Sequence, residues 1–194
     1  MGEITRHGRQ LAKYVADLMV TKPEVRRSEW HGHIVDVLVG PNFPQDGTTT
    51  LYTVSLSSRN VIIDGVEQDF GIELATCHSN SMDGCIDVIF DAAFLYVEHG
   101  EEFYPGAVLP DLIGRRGLSE TMKHFFLITP FLWDGKLKSI KGIGDRETRY
   151  LLAVPISDAE MALAGTEGSE ALDDLFEQEQ IDIFDWNRPS ITQI

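Results

Sequence analysis

The sequence predicts an α+β fold, a single domain in which a mixed, mainly antiparallel sheet is covered by helices. Three observations predict it. Runs of branched and aromatic residues bounded by Gly, Pro and Asp follow one another with no helical pattern between them, which favours an antiparallel meander. Segments with apolar residues at helical spacing precede and follow those runs. At 194 residues, with 43% hydrophobic and 9% aromatic content, the chain suffices for one substantial core, and one domain over residues 1–194 fits better than two small ones.

The elements follow in order. Ile4, Leu11, Tyr14, Val15, Leu18 and Met19 recur at helical spacing, so residues 3–21 form an amphipathic helix, packed on the domain and ended near Lys22-Pro23. Residues 34–39 are a branched-rich strand closed by Gly40-Pro41. A second strand covers residues 50–58, with Leu51, Thr53 and Ser55 facing one way and Tyr52, Val54 and Leu56 the other. After an Asp64-Gly65 turn comes a third strand, residues 70–77, and then a helix over residues 83–99. That helix gathers Cys85, Val88, Ile89, Ala92, Leu95 and Tyr96 on one face and stops at Gly100.

Residues 100–120 hold six Gly and Pro residues among scattered apolar ones and read as a long ordered loop. Strands follow at residues 122–133 and 149–156, with Pro130 and Pro155 counting against central positions. Ser157-Asp158-Ala159-Glu160 is a capping box that starts a short helix. A further helix at residues 168–179 buries Leu172, Leu175 and Phe176 and turns its acids outward.

Charge narrows the function. Sixteen basic against 31 acidic residues give a formal net charge of −15. Nucleic acid and anionic membrane are disfavoured as partners, because their binding rests on Lys and Arg neutralising phosphate. Between Arg149 and Arg188 there is no Lys or Arg but ten Asp and Glu, so the rest of the chain carries a net of only −5. Such a stretch either keeps the protein dispersed in water or steers and holds a basic protein partner. The candidate partner contacts are Glu170, Asp173, Asp174, Glu177, Asp182, Asp185 and Trp186. The early apolar segment is interrupted by Arg6, Arg9, Lys13 and Asp17, so no signal peptide or membrane span is expected and the location reads as cytoplasmic.

No catalytic motif stands out. Gly142-Ile143-Gly144 resembles the start of a dinucleotide fingerprint, but Glu147 replaces the third glycine and no βαβ unit surrounds it. A Walker A loop and a nucleophile elbow are both lacking. Metal binding is the best enzymatic alternative, as a metal-dependent hydrolase. Cys77, His78 and Cys85 are close in sequence, His31 and His33 would share one strand face, and Glu98-His99 with Glu101-Glu102 offers further ligands. Against this, Cys77 ends an apolar strand and Cys85 lies on an apolar helix face, where thiols usually serve as small buried hydrophobes.

The order of pieces carries a resemblance. "DVLV" (residues 36–39), "TLYTVSLSS" (residues 50–58), "GIELAT" (residues 71–76), a helix, "GEEFYPGAVLP" (residues 100–110), "FFLITPF" (residues 125–131), "YLLAVPISDAEMALAGTEGSEALDDLF" (residues 150–176) and "DWNRPSI" (residues 185–191) follow one another. This series resembles the suppressor-of-fused family in its bacterial form over residues 30–191. The long loop departs from the family pattern, with Ala107 and Val108 where a His is usual before the proline. The resemblance implies a non-enzymatic binding module with no cofactor and no catalytic residues. Animal relatives hold a transcription factor, and bacterial ones are regarded as immunity proteins that neutralise toxins from neighbouring cells.

The last residues fit that expectation. A disordered acidic tail would lack Ile181, Ile183, Phe184 and Trp186, since such segments stay unfolded for want of apolar surface. These four are expected to dock the tail, with Pro189 ending the docked segment. Exposed, Phe184 and Trp186 would instead anchor a partner.

Overall fold

A computed structural model describes residues 5–19, 21–63, 65–99 and 103–192. The frame is a seven-stranded sheet in the order β1-β2-β3-β6-β9-β8-β7. Its strands are β1 (Glu24–Trp30), β2 (His33–Pro41), β3 (Thr48–Thr53), β6 (Phe70–Ser79), β7 (Val108–Leu109), β8 (Met122–Ile128) and β9 (Glu147–Ser157). A separate small hairpin pairs β4 (Ile62–Ile63) with β5 (Val66–Glu67). Every neighbouring pair in the large sheet is antiparallel except β6 and β9, which run parallel.

Side-chain alternation divides the core in two. On one face Val35, Val37, Ile72, Leu74, Phe125 and Leu127 pack under α2 (Cys85–His99). On the other, Leu38, Tyr52, Phe126, Tyr150, Leu152 and Val154 pack under α1 (Arg6–Ala16) and α4 (Ser169–Glu179). With both faces covered, β3 is buried throughout and β6 nearly so, as near-continuous apolar or Thr-rich strands require. The Thr5 hydroxyl caps α1 by accepting from the Gly8 amide at 3.0 Å, and Leu11 and Val15 are its fully buried residues. It spans less than the expected residues 3–21, of which 1–4 and 20 lie outside the described residues.

Three expectations need correction. The strand expected at residues 50–58 leaves the sheet after Thr53, because the buried Glu73 carboxylate captures the backbone at Leu56 and Ser57. Its Oε1 accepts the two amides, both at 2.9 Å, and the Ser57 hydroxyl at 2.8 Å. The bend carries Leu56 to the α2 face, away from Tyr52 and Val54. Glycine is required at Gly71, since a side chain there would run into the Ser57 backbone. The strand expected at residues 122–133 stops at Ile128, ahead of Pro130.

The third correction is β1, where no strand was expected. Glu24–Trp30 is an exposed edge strand, held by its ladder to β2 and by Arg27, whose guanidinium forks onto Asp36 at 2.7 and 2.9 Å. Pro155, by contrast, does sit inside β9. There β6 no longer pairs with β9, and the Pro155 carbonyl is free to accept from Arg188 at 3.0 Å. The Asp64 and Gly100 stops lie outside the described residues.

Candidate functional site

The acidic end of the chain is built on one buried ion pair. Ser157 closes β9 and caps α3 (Asp158–Glu167), its hydroxyl accepting from the Glu160 amide at 3.2 Å while Glu160 Oε2 accepts the Ser157 amide at 3.1 Å. This is the expected capping box, with an addition. Glu160 is fully buried, and the Arg188 guanidinium forks onto both its oxygens at 2.7 and 2.8 Å. A buried carboxylate is tolerable only when paired and hydrogen-bonded, so Arg188 and Glu160 require each other.

Between those partners the chain makes α4 and then crosses the end of the sheet. Leu172 and Phe176 bury one face of α4, and Gln180 ends it in the left-handed conformation. Ile183 belongs to the core on the α4 side, whereas Trp186 belongs to the core beneath α2. Trp186 is fully buried, donates its indole N–H to the Cys77 carbonyl at 2.8 Å, and stands edge-on to Phe125. The docked segment continues past Pro189, where Ser190 and Ser157 hydroxyls meet at 2.7 Å and the Ile191 amide reaches Glu160 at 3.0 Å. Trp186, counted among the candidate partner contacts, is therefore an internal anchor that a partner cannot touch without undocking the tail.

The six carboxylates of the candidate set separate into three groups. Glu170, Asp173 and Glu177 recur at three- and four-residue spacing on α4 and face hollows along one side of that helix. Partial desolvation and the neighbouring charges of Glu177 and Asp174 raise the Asp173 pKa above the ordinary carboxylate value. Asp174 is exposed and lines neither hollow. Asp182 and Asp185 each fold a turn, accepting the amides of Phe184 at 2.9 Å and Asn187 at 2.8 Å. The sequence reading missed the apolar wall opposite α4. Its one signal was Phe131 behind the strand-ending Pro130, which the structure leaves 56% exposed.

The metal candidates do not converge. Cys77 and Cys85 lie in cores on opposite faces of the sheet, and burial pushes both thiols up to about 12. His78 is buried, its pKa lowered by desolvation, and its Nδ1–H donates to the Ser79 carbonyl at 2.9 Å. His31 and His33 do not share a strand face as expected. His31 sits in the β1–β2 turn with positive φ and stacks on Trp30, while His33 takes a hydrogen bond from Arg59. Glu98 and His99 are exposed at the end of α2, and Glu101 and Glu102 lie outside the described residues. Among the described residues no group of three or more His, Cys, Asp and Glu could hold a metal ion. Gly142 and Gly144 form a loop of positive φ between β8 and β9.

Comparison with known proteins places this arrangement. The family model for the suppressor of fused protein (SUFU) matches residues 32–189. The chain belongs to the suppressor of fused family. A curated relative, the immunity protein YqcF of Bacillus subtilis (strain 168), is 28% identical over 190 residues, covering 97% of this chain and 98% of its own. Among solved structures, a SUFU homolog from Neisseria gonorrhoeae FA 1090 superimposes with a TM-score of 0.71 at 14% identity, over 97% of this chain and 98% of that one. The Sufu–Fu complex gives a TM-score of 0.67 at 11% identity, over 99% and 93%. Both share the fold. No described helix is long and apolar enough to cross a membrane.

Proposed function

We propose that this chain is a non-enzymatic protein-binding module of the suppressor of fused type, an immunity protein that neutralises a toxin in the cytoplasm by direct contact. The observation that carries the reading is the near end-to-end match to a protein named as an immunity protein, at 28% identity. The Sufu–Fu complex supports a protein as the kind of partner, since a relative of this fold is seen there with one.

Charge supports a basic partner. Of the ten acids between Arg149 and Arg188, Glu160 is buried against Arg188, and the other nine are exposed on two helices and a docked tail. Many toxins attack nucleic acid and are basic because they must neutralise phosphate, and complementary charge raises the association rate by orders of magnitude at low salt. Inhibition by occlusion needs no catalytic residue on this chain.

Coexpression with a panel of basic nuclease toxin domains, including any encoded by neighbouring genes, tests the reading. The expected outcome is rescued growth and a stoichiometric complex that survives purification in chelator. Rescue with no complex would overturn direct binding. About one zinc per purified chain would favour the metal-dependent hydrolase instead.

A further inference from the structure

The two hollows along α4 share Ile128, Thr129 and Asp173 and so form one groove. Their volumes are about 440 and 270 Å3, room for a few side chains. One wall is acidic: Glu170, Asp173 and Glu177 span about 10 Å of α4 at 1.5 Å per residue. The floor of the larger hollow is apolar, with Phe176, Ile181 and Ile183 beneath and the exposed Phe131 on the far rim. Lys138 is the one basic residue lining either hollow.

Two other hollows among the described residues differ. The cleft beside Trp30 intersperses Arg115 and Arg116 among its four acids, and Arg116 already forks onto Asp91 at 2.7 and 2.8 Å. The depression around Gln45 and Asp185 is mostly polar. Along α4, three carboxylates are held one turn apart beside apolar surface, and like charges so placed repel. An apolar slot lined by three carboxylates against one lysine fits an occupant with an apolar anchor and positive charge.

We propose that this groove is the docking channel for a basic segment of the partner protein. An apolar side chain of that segment enters between Phe131 and Phe176, and Lys or Arg residues one helical turn apart meet Glu170, Asp173 and Glu177. The proposal rests on the reading of the chain as a protein-binding module, and it names the surface that binds.

The test uses the full chain and two probes, a short amphipathic Lys/Leu peptide with its Glu/Leu counterpart, and a basic nuclease toxin domain whose growth inhibition the chain relieves on coexpression. Three variants are compared: Glu170→Gln/Asp173→Asn/Glu177→Gln in the groove, Phe131→Ala on its rim, and Glu167→Gln/Asp174→Asn/Glu179→Gln off the groove with the same change in net charge. The expected result is saturable binding of the Lys/Leu peptide alone. The groove triple weakens it about tenfold or more, Phe131→Ala weakens it several-fold, and the off-groove triple changes it less than about twofold. Equal losses in the two triples, or no saturable binding, would overturn the groove. A toxin domain bound equally by all variants would also sink the groove while leaving the proposed function intact. A toxin domain that the wild-type chain itself does not bind would sink that function, and the peptide series would still decide the groove.

Discussion

Replacing Arg188 by alanine should be among the most damaging single changes in the C-terminal fifth of the chain. Arg188 is 5% exposed and Glu160 is 0% exposed. The substitution removes the fork at 2.7 and 2.8 Å, the bonds to the Pro155 and Pro189 carbonyls at 3.0 and 3.2 Å, and the stacking of Arg188 over Phe176. Glu160 keeps the Ser157 and Ile191 amides but loses its countercharge. Removing one partner of such a pair costs about 3–5 kcal/mol. For a domain of this size that lowers the melting temperature by about 6–20 °C.

The assay is thermal and urea unfolding of wild type, Arg188→Ala, and the cycle of Arg188→Met, Glu160→Met and their double variant. The double variant leaves no buried charge, so it should be far less unstable than the sum of the single losses, with a coupling of about 2 kcal/mol or more. A loss under about 1 kcal/mol for Arg188→Ala, or additivity within about 0.5 kcal/mol, would refute the reasoning.

Two further predictions concern buried polar groups. Trp186→Phe keeps an aromatic ring but leaves the Cys77 carbonyl without its 2.8 Å donor, so it should cost about 1–3 kcal/mol by urea unfolding; an unchanged midpoint would contradict the internal-anchor assignment. Burial raises the Glu73 pKa above its ordinary 4.5, so the folded state holds that proton longer than the unfolded chain does. Ionisation of Glu73 therefore subtracts stability as the pH rises from about 4.5 through the raised folded value, and the effect then levels. Glu73→Gln cannot ionise. The stability of wild type relative to Glu73→Gln should fall over that window, and a difference independent of pH from about 4 to 8 would contradict it.

What the sequence made legible was mostly local. The capping box at Ser157 and Glu160 and the apolar faces of α2 and α4 depend on residues within a few turns of one another. The docking of the acidic tail was legible from its apolar residues, Ile183 and Trp186 among them, although its partners Cys77 and Phe125 lie far off in the chain. What it concealed depends on distant partners. Glu24–Trp30 has four charged residues in seven and no buried position, so no alternation marks it as a strand, and its ladder comes wholly from β2. The end of β3 is set by Glu73, sixteen or more residues downstream. The parallel pairing of β6 with β9 joins residues more than seventy apart.

The candidate site divides along the same line. Its acids were visible as a composition, but composition does not separate Glu170, Asp173 and Glu177, which face the groove, from Asp182 and Asp185, which fold turns. Helical spacing groups the first three with one another. The groove itself needed Phe131 and Ile128 brought from another part of the chain.

Titration calorimetry of the purified chain against a basic nuclease toxin domain whose growth inhibition it relieves tests the central claim most directly. The account predicts saturable binding at one to one, with an affinity that weakens as salt is raised from about 0.05 to 0.5 M because the opposing charges are screened. Absence of saturable binding at low salt, with both proteins folded, would contradict it.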